Sequence, residues 1–407
     1  MSRPAESLLH IKNLGPIRDA AIEFGDLTVL VGPQATGKSL ILQMMKLCLD
    51  GPHIVYTLDE NGFPVGNQQL ILEQFLGEGM GAVWTEQTSV SWNGKSLKPE
   101  KLLLGKKRDP EPSPQGLVET VSYIPAQRSL ALADGWPQLF HQFQVPPPYV
   151  LRRYSQGLHG LLHSGSGVDA AVLFPIAGRI EASIRDYIDR AIFHKGQLYV
   201  SQEGVRRQLK LDYGAAKPSF SSWTAGQREF IPLLLKLYAL MPVGGPNNRA
   251  AGIDWVVLEE PEMGLHPQAI LAVMLLVLDL LRRGYRVAMS THSPLVLDIL
   301  WALGRLTEWR RQHERLVKER DVLALFGGLR VNKSTHAIAK FALTKEYRVY
   351  YLDAGDASGV TAKDISRLDP GSEDDRMSGW GGLTGVSSQI SDVVGRIAAQ
   401  REDEDDA

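Results

Sequence analysis

Gly32 to Ser39 reads GPQATGKS, between a continuous apolar run, LTVLVG, and an apolar-faced stretch, SLILQMMKLCL. Two glycines closed by a lysine and a hydroxyl residue let backbone N–H groups wrap a phosphate. A following helix adds partial positive charge at its N-terminus. Lys38 supplies a cation for the outer phosphates, and Ser39 offers a hydroxyl to a divalent metal. The run before the loop has strand length and reads as a strand buried on both faces. The candidate phosphate-binding set is Gly32, Pro33, Gln34, Ala35, Thr36, Gly37, Lys38, Ser39 and Leu40.

Three later segments carry compatible chemistry. WVVLEEPEMGLHP, 255–267, is an apolar strand ending in two carboxylates. Glu259 is assigned to the metal, Mg²⁺, and Glu260 to an attacking water. WTAGQRE, 223–229, is a small-residue loop opening a helix. The N–H groups of Thr224, Ala225, Gly226 and Gln227, with the Thr224 hydroxyl, are suited to a second phosphate contact. In STHSP, 290–294, His292 stands at the end of the next strand as a donor for a γ-phosphate. Strand 255–259, helix 269–283 and strand 285–290 form a βαβ unit, which implies parallel strands.

Four regions are expected: an N-terminal lobe with the glycine-rich loop (1–135), a helical insert (136–200), a second lobe with the acidic strand and the histidine (201–305), and a C-terminal output region with a disordered acidic tail (306–407). Between 53 and 98 the pieces read as short and hairpin-like, with turn signals at Asn61-Gly62 and Asn93-Gly94. Residues 105–116 read as a polar, Pro-rich loop. The single cysteine, Cys48, excludes a disulfide framework and reads as a core thiol. The net charge of −2 leaves no bulk electrostatic footprint for nucleic acid or membrane, although the pairs Arg206-Arg207 and Arg310-Arg311 are locally basic. MSRPAESLLHIKN lacks the apolar core of a signal peptide, and the longest apolar run, Ala269 to Leu281, is broken by Asp279. A cytoplasmic protein with no membrane partner is expected.

The order of these motifs resembles that of ATP-binding-cassette-type ATPases of the SMC, RecF and overcoming-lysogenization-defect (OLD) group. LHIKNLGPIRDAAIEFGDLTVLVGPQATGKS is similar to that group's N-terminal lobe, and LEEPEMGLHP to the EEPE-x-x-LHP form of OLD-type ATPases. The resemblance implies an α/β P-loop NTPase fold of ABC type, with an inserted helical subdomain and a small C-terminal extension. It implies ATP and Mg²⁺ as ligands, with catalysis by Glu260, His292 and Lys38. Ser39 and Glu259 would be metal residues, joined by Gln127 of IPAQRS as the Q-loop residue, with Arg128 beside it. Thr224, Ala225, Gly226 and Gln227 stand where the family has S-G-G-Q. The family geometry implies a homodimer in which the signature of one chain caps the ATP of the other.

The sequence lacks long heptad arms, and Asp353, Asp356 and Asp364 do not form a glutamate-then-DxD nuclease pattern. WGGLTGVSS, 380–388, resembles the tail of stand-alone OLD-like ATPases of Septu-type and retron-linked systems. These imply an anti-phage ATPase controlling a separate effector, a nuclease or toxin. A RecF-like ATPase that clamps DNA and a low-turnover, ATP-dependent scaffold remain open alternatives.

Overall fold

The computed structural model describes residues 7–102, 117–143, 147–163, 172–204, 206–244, 248–355 and 359–384. The whole 105–116 loop lies outside them, as do Asp356, residues 385–388 and the acidic tail. In chain order the strands are β1 (Leu8–Leu14), β2 (Ile17–Glu23), β3 (Leu27–Val31), β4 (Trp84–Trp92), β5 (Lys95–Ser96), β6 (Val121–Ile124), β7 (Leu132–Ala133), β8 (Trp136–Pro137), β9 (Val172–Phe174), β10 (Gln197–Glu203), β11 (Arg206–Asp212), β12 (Trp255–Glu259), β13 (Arg286–Ser290), β14 (Tyr347–Asp353) and β15 (Val360–Asp364). The helices are α1 (Lys38–Glu60), α2 (Gln68–Leu76), α3 (Pro99–Leu102), α4 (Tyr149–His163), α5 (Ala182–Ile188), α6 (Ala225–Leu240), α7 (Pro267–Arg282), α8 (Pro294–Gln312), α9 (Glu319–Ala324), α10 (Lys333–Ala342) and α11 (Asp375–Ser378).

The main sheet has the order β5-β4-β1-β2-β15-β14-β3-β13-β12-β6. From β14 to β6 the five strands are parallel. All five residues of β3 and of β12 are buried, as expected for strands covered on both faces. Successive side chains serve opposite cores. Val29, Val256 and Val287 pack into the core that includes α6, α7 and α8. Leu30, Val257 and Ala288 pack into the core on the α1 and α2 side.

The structure corrects the expected regions in three places. First, α1 does not give way to hairpins after residue 50. It runs to Glu60 with Pro52 inside it, and Asn61-Gly62 ends the helix instead of turning a hairpin. Its middle is fastened to β6 by a buried ion pair. Lys46 Nζ donates to Asp50 Oδ2 at 2.9 Å, to Glu119 Oε1 at 2.9 Å and to the Val121 carbonyl at 2.7 Å. Asp50 in turn accepts from the Thr120 and Val121 amides. Both charges are thus fully hydrogen-bonded, the condition under which burial is tolerated. Asn93-Gly94 does close the β4–β5 hairpin, with φ of 50° and 75°.

Second, the 136–200 stretch is mixed rather than helical. It holds α4 and α5, but Val172–Phe174 adds a third strand to the β10–β11 hairpin. Third, the described part of the 306–407 region is no separate appendage. β14 pairs with β3 from Tyr347↔Leu27 to Tyr351↔Val31, and β15 pairs with β2, so both lie inside the main sheet. Val349 and Leu352 are buried there, which is why β14 is not left as an outlying strand. Cys48 is half-buried, and burial pushes its thiol up to about 12, as expected for a packing residue. Among the described residues no helix is long and apolar enough to cross a membrane.

Candidate active site

Parallel pairing brings the motifs together at the C-terminal ends of neighbouring interior strands. Leu30 lies opposite Ser290, and Ser290 opposite Glu259. The loop after β3, the acidic pair after β12 and the Thr291-His292 turn after β13 therefore emerge side by side, where open α/β sheets place their ligands.

The 32–39 loop is held in a shape that suits its residues. Gly32 has φ +144°, and a Cβ there would lie 2.6 Å from the Leu352 carbonyl of β14, so only glycine fits. Gly37, at φ +90°, precedes α1 without a side-chain cap. The first turn of that helix thus keeps amides to offer an anion. Thr36 Oγ1 ties the loop to the Pro33 carbonyl at 2.9 Å. Lys38 is buried and folded back, donating to the Gly32 and Pro33 carbonyls at 2.9 and 2.8 Å. Burial pushes its ammonium below the usual lysine range, and the Glu260 and Glu262 charges oppose that shift.

A cavity of about 420 Å³ is lined by residues 34–40 together with Glu260 and His292, and Pro16, Leu76 and Met80 supply apolar wall. Glu260 Oε1 lies 3.3 Å from His292 Nε2. Glu260 has φ +41°, uncommon for a residue with a side chain. Its amide donates to the Ser290 carbonyl at 3.0 Å. Glu259 is buried beneath the loop. Its carboxylate accepts from Tyr123 Oη at 2.8 Å, from the Ala126 amide at 3.1 Å and from the Ser39 hydroxyl. Burial raises its pKa, and these hydrogen bonds work against the rise. The contact between Ser39 and Glu259 forms an all-oxygen pair whose buried negative charge a hard divalent cation would offset, so these residues fit Mg²⁺.

Two predicted elements are placed elsewhere. Thr224, Ala225, Gly226 and Gln227 open α6 but do not line the cavity. Thr224 and Gln227 form a reciprocal capping box, at 3.1 and 3.2 Å. Thr224 and Ala225 are exposed. A Cβ on Gly226 would lie 2.9 Å from the Gly264 carbonyl, so this turn packs directly on the loop after the acidic pair. Gln127 is exposed and is not part of the cavity lining. The chain turns there because Arg128 points inward, fully buried.

The sequence reading missed Glu262. Its Oε1 accepts from Thr291 Oγ1 at 2.8 Å and from the His292 amide at 2.6 Å, joining the acidic loop to the histidine turn. Its Oε2 is buried with no hydrogen-bond partner. The signal was available, since Glu262 is the last residue of EEPE.

Fold and site together define a mixed α/β P-loop NTPase. Two family models match the chain. One, described as "AAA domain, putative AbiEii toxin, Type IV TA system", matches residues 204–298, and one described as "AAA domain" matches residues 8–63. No curated protein matches. Among solved structures, an SMC head bound to the C-terminal winged-helix domain of ScpA is 9% identical, with a TM-score of 0.42, over 89% of this chain and 97% of that one. The SMC head domain from Thermotoga maritima is 10% identical, with a TM-score of 0.34, over 88% and 98%. A dimeric bacterial ABC transporter cassette is 12% identical, with a TM-score of 0.31, over 70% and 88%.

Proposed function

We propose that this chain is an ATPase that closes around ATP as a homodimer and thereby controls a separate effector, a nuclease or toxin, in defence against phage. The observation that carries the ATPase reading is the cavity that joins the 34–40 loop to Glu260 and His292 while Thr224–Gln227 stay outside it. In this reading one chain supplies the phosphate-binding half of an ATP site, and its α6 N-terminus, which does not line that cavity, supplies the capping half of another.

In this reading the loop amides and Lys38 bind the phosphates. Ser39 and Glu259 would hold Mg²⁺, which neutralises phosphate charge when bound. Glu260 orients the attacking water and accepts its proton, and His292 donates a hydrogen bond to the γ-phosphate. The α6 N-terminus of a second copy caps the nucleotide from the other side. The effector part draws on the family description that names a toxin and a toxin–antitoxin system.

Complementation tests the shared site. Lys38→Ala spoils the phosphate-binding half, and Ala225→Asp places a charge in the capping half at an exposed position. Each chain alone should be inactive, and a mixture should recover turnover, because one of the two composite sites in a mixed dimer is intact. A mixture as inactive as its components would sink the shared-site reading. For the effector, phage plating on cells carrying the native gene neighbourhood should rise to the unprotected level with Glu260→Gln. Unchanged protection would rule out control by hydrolysis.

A further inference from the structure

Arg128 is a buried cation to which the ATPase reading gives no task. Its side chain is wholly inaccessible. A guanidinium carries five N–H donors in a rigid plane, and here all five directions meet main-chain carbonyls. Nε donates to Glu229 at 3.0 Å, Nη1 to Pro125 at 3.4 Å and Glu259 at 3.1 Å, and Nη2 to Glu260 at 3.2 Å and Pro261 at 3.5 Å. The Glu229 carboxylate lies 3.5 Å from Nε.

The identity of those carbonyls sets this apart from ordinary core packing. The β12–β6 ladder ends at the pair Leu258↔Ile124. Beyond that point Arg128 takes over as partner for Glu259, Glu260 and Pro261. It therefore grips the main chain on both sides of the residue whose φ is +41°. Glu229 lies in the first turns of α6, the helix that opens at Thr224. One rigid side chain thus bonds both the Glu260 backbone and the capping helix.

We propose that Arg128 is a positioning residue that couples the two ATP sites of the dimer. Through Glu260 it acts on the ATP held by its own chain, and through α6 on the ATP held by the partner. The proposal rests on the shared-site reading above.

Arg128→Lys is the test. Lysine keeps the charge, but three donors on one nitrogen cannot span five carbonyls. In the full chain, kcat should fall about a hundredfold, the scale expected when a catalytic group is misplaced by a distant change. Affinity for a fluorescent ATP analogue should stay within about twofold, the pattern of an interaction that acts in the transition state. Dimers of one wild-type and one Arg128→Lys chain should turn over well below half the wild-type rate, because the altered chain disturbs both sites. A wild-type kcat, or mixed dimers that keep half the rate, would overturn the coupling. If Arg128→Lys also loses nucleotide binding, Glu229→Gln decides, because it neutralises the carboxylate 3.5 Å from Nε that helps hold the guanidinium between α6 and the Glu260 backbone. It should lower kcat about fivefold, as coupled neighbours do, with unchanged ATP affinity, and a wild-type rate there overturns the proposal. ATP-dependent dimerisation of Glu260→Gln is measured alongside. Monomer in that control indicts the shared-site reading itself, whereas a dimer with normal Arg128→Lys turnover indicts only the coupling.

Discussion

Glu260→Gln is expected to stop ATP turnover and leave ATP trapped between two chains. Glutamine keeps the shape of glutamate but cannot accept a proton. The backbone that presents residue 260 is held independently of its side chain, by the Ser290 carbonyl on one side and Arg128 on the other. The variant should therefore keep the φ of +41° and the surrounding cavity. Loss of a general base together with its electrostatic contribution lowers turnover on the order of a thousandfold. Ground-state contacts to the phosphates come from the loop and Lys38, so binding should persist. Phosphate release should fall to background while light scattering with ATP and Mg²⁺ shows a stable dimer. Monomer under those conditions would sink the dimer reading, and turnover within tenfold of wild type would remove Glu260 from its role.

How far the sequence reveals this site depends on how local each feature is. The 32–39 loop was legible because its constraints lie within eight residues: glycines where φ is positive, then a lysine and a hydroxyl at the helix start. Glu259, Glu260 and His292 were legible because strand ends announce themselves by an apolar run followed by polar residues. Arg128 was not assigned because its partners are distant. Arg128 meets Glu259 131 residues away, and nothing in IPAQRS says which of Gln127 and Arg128 faces inward.

The same distinction explains the fold. Asn61-Gly62 and Asn93-Gly94 look alike in sequence because helix ends and hairpins both need left-handed residues. What separates them is the Lys46–Asp50 pair anchoring α1 to β6, an interaction across 75 residues in the case of Val121. β14 and β15 were misplaced for a related reason. Their pairing with β3 and β2 joins segments more than 300 residues apart, so nothing local assigns them to the main sheet.

Lys38→Ala separates binding from hydrolysis. In this structure Lys38 donates to two loop carbonyls while buried beside Glu260 and Glu262. Removing it strands the Gly32 and Pro33 carbonyls, a loss of about 1–3 kcal/mol if they stay dry. It also relieves the desolvation that depresses the ammonium pKa, so the two effects oppose each other. The melting temperature without nucleotide should therefore move by only a few degrees. With ATP the two chains should part sharply. A wild-type chain at a hundredfold excess over its dissociation constant gains about 2.7 kcal/mol. The Lys38→Ala chain should gain almost nothing, because losing the cation opposite the outer phosphates weakens binding about a hundredfold, again about 2.7 kcal/mol. It should also fail to dimerise with ATP, unlike Glu260→Gln. A scaffold that only needs bound ATP would tolerate Glu260→Gln and fail with Lys38→Ala, whereas a machine that must turn over fails with both. An ATP-induced melting shift of wild-type size in Lys38→Ala would show that the phosphates are held without this residue.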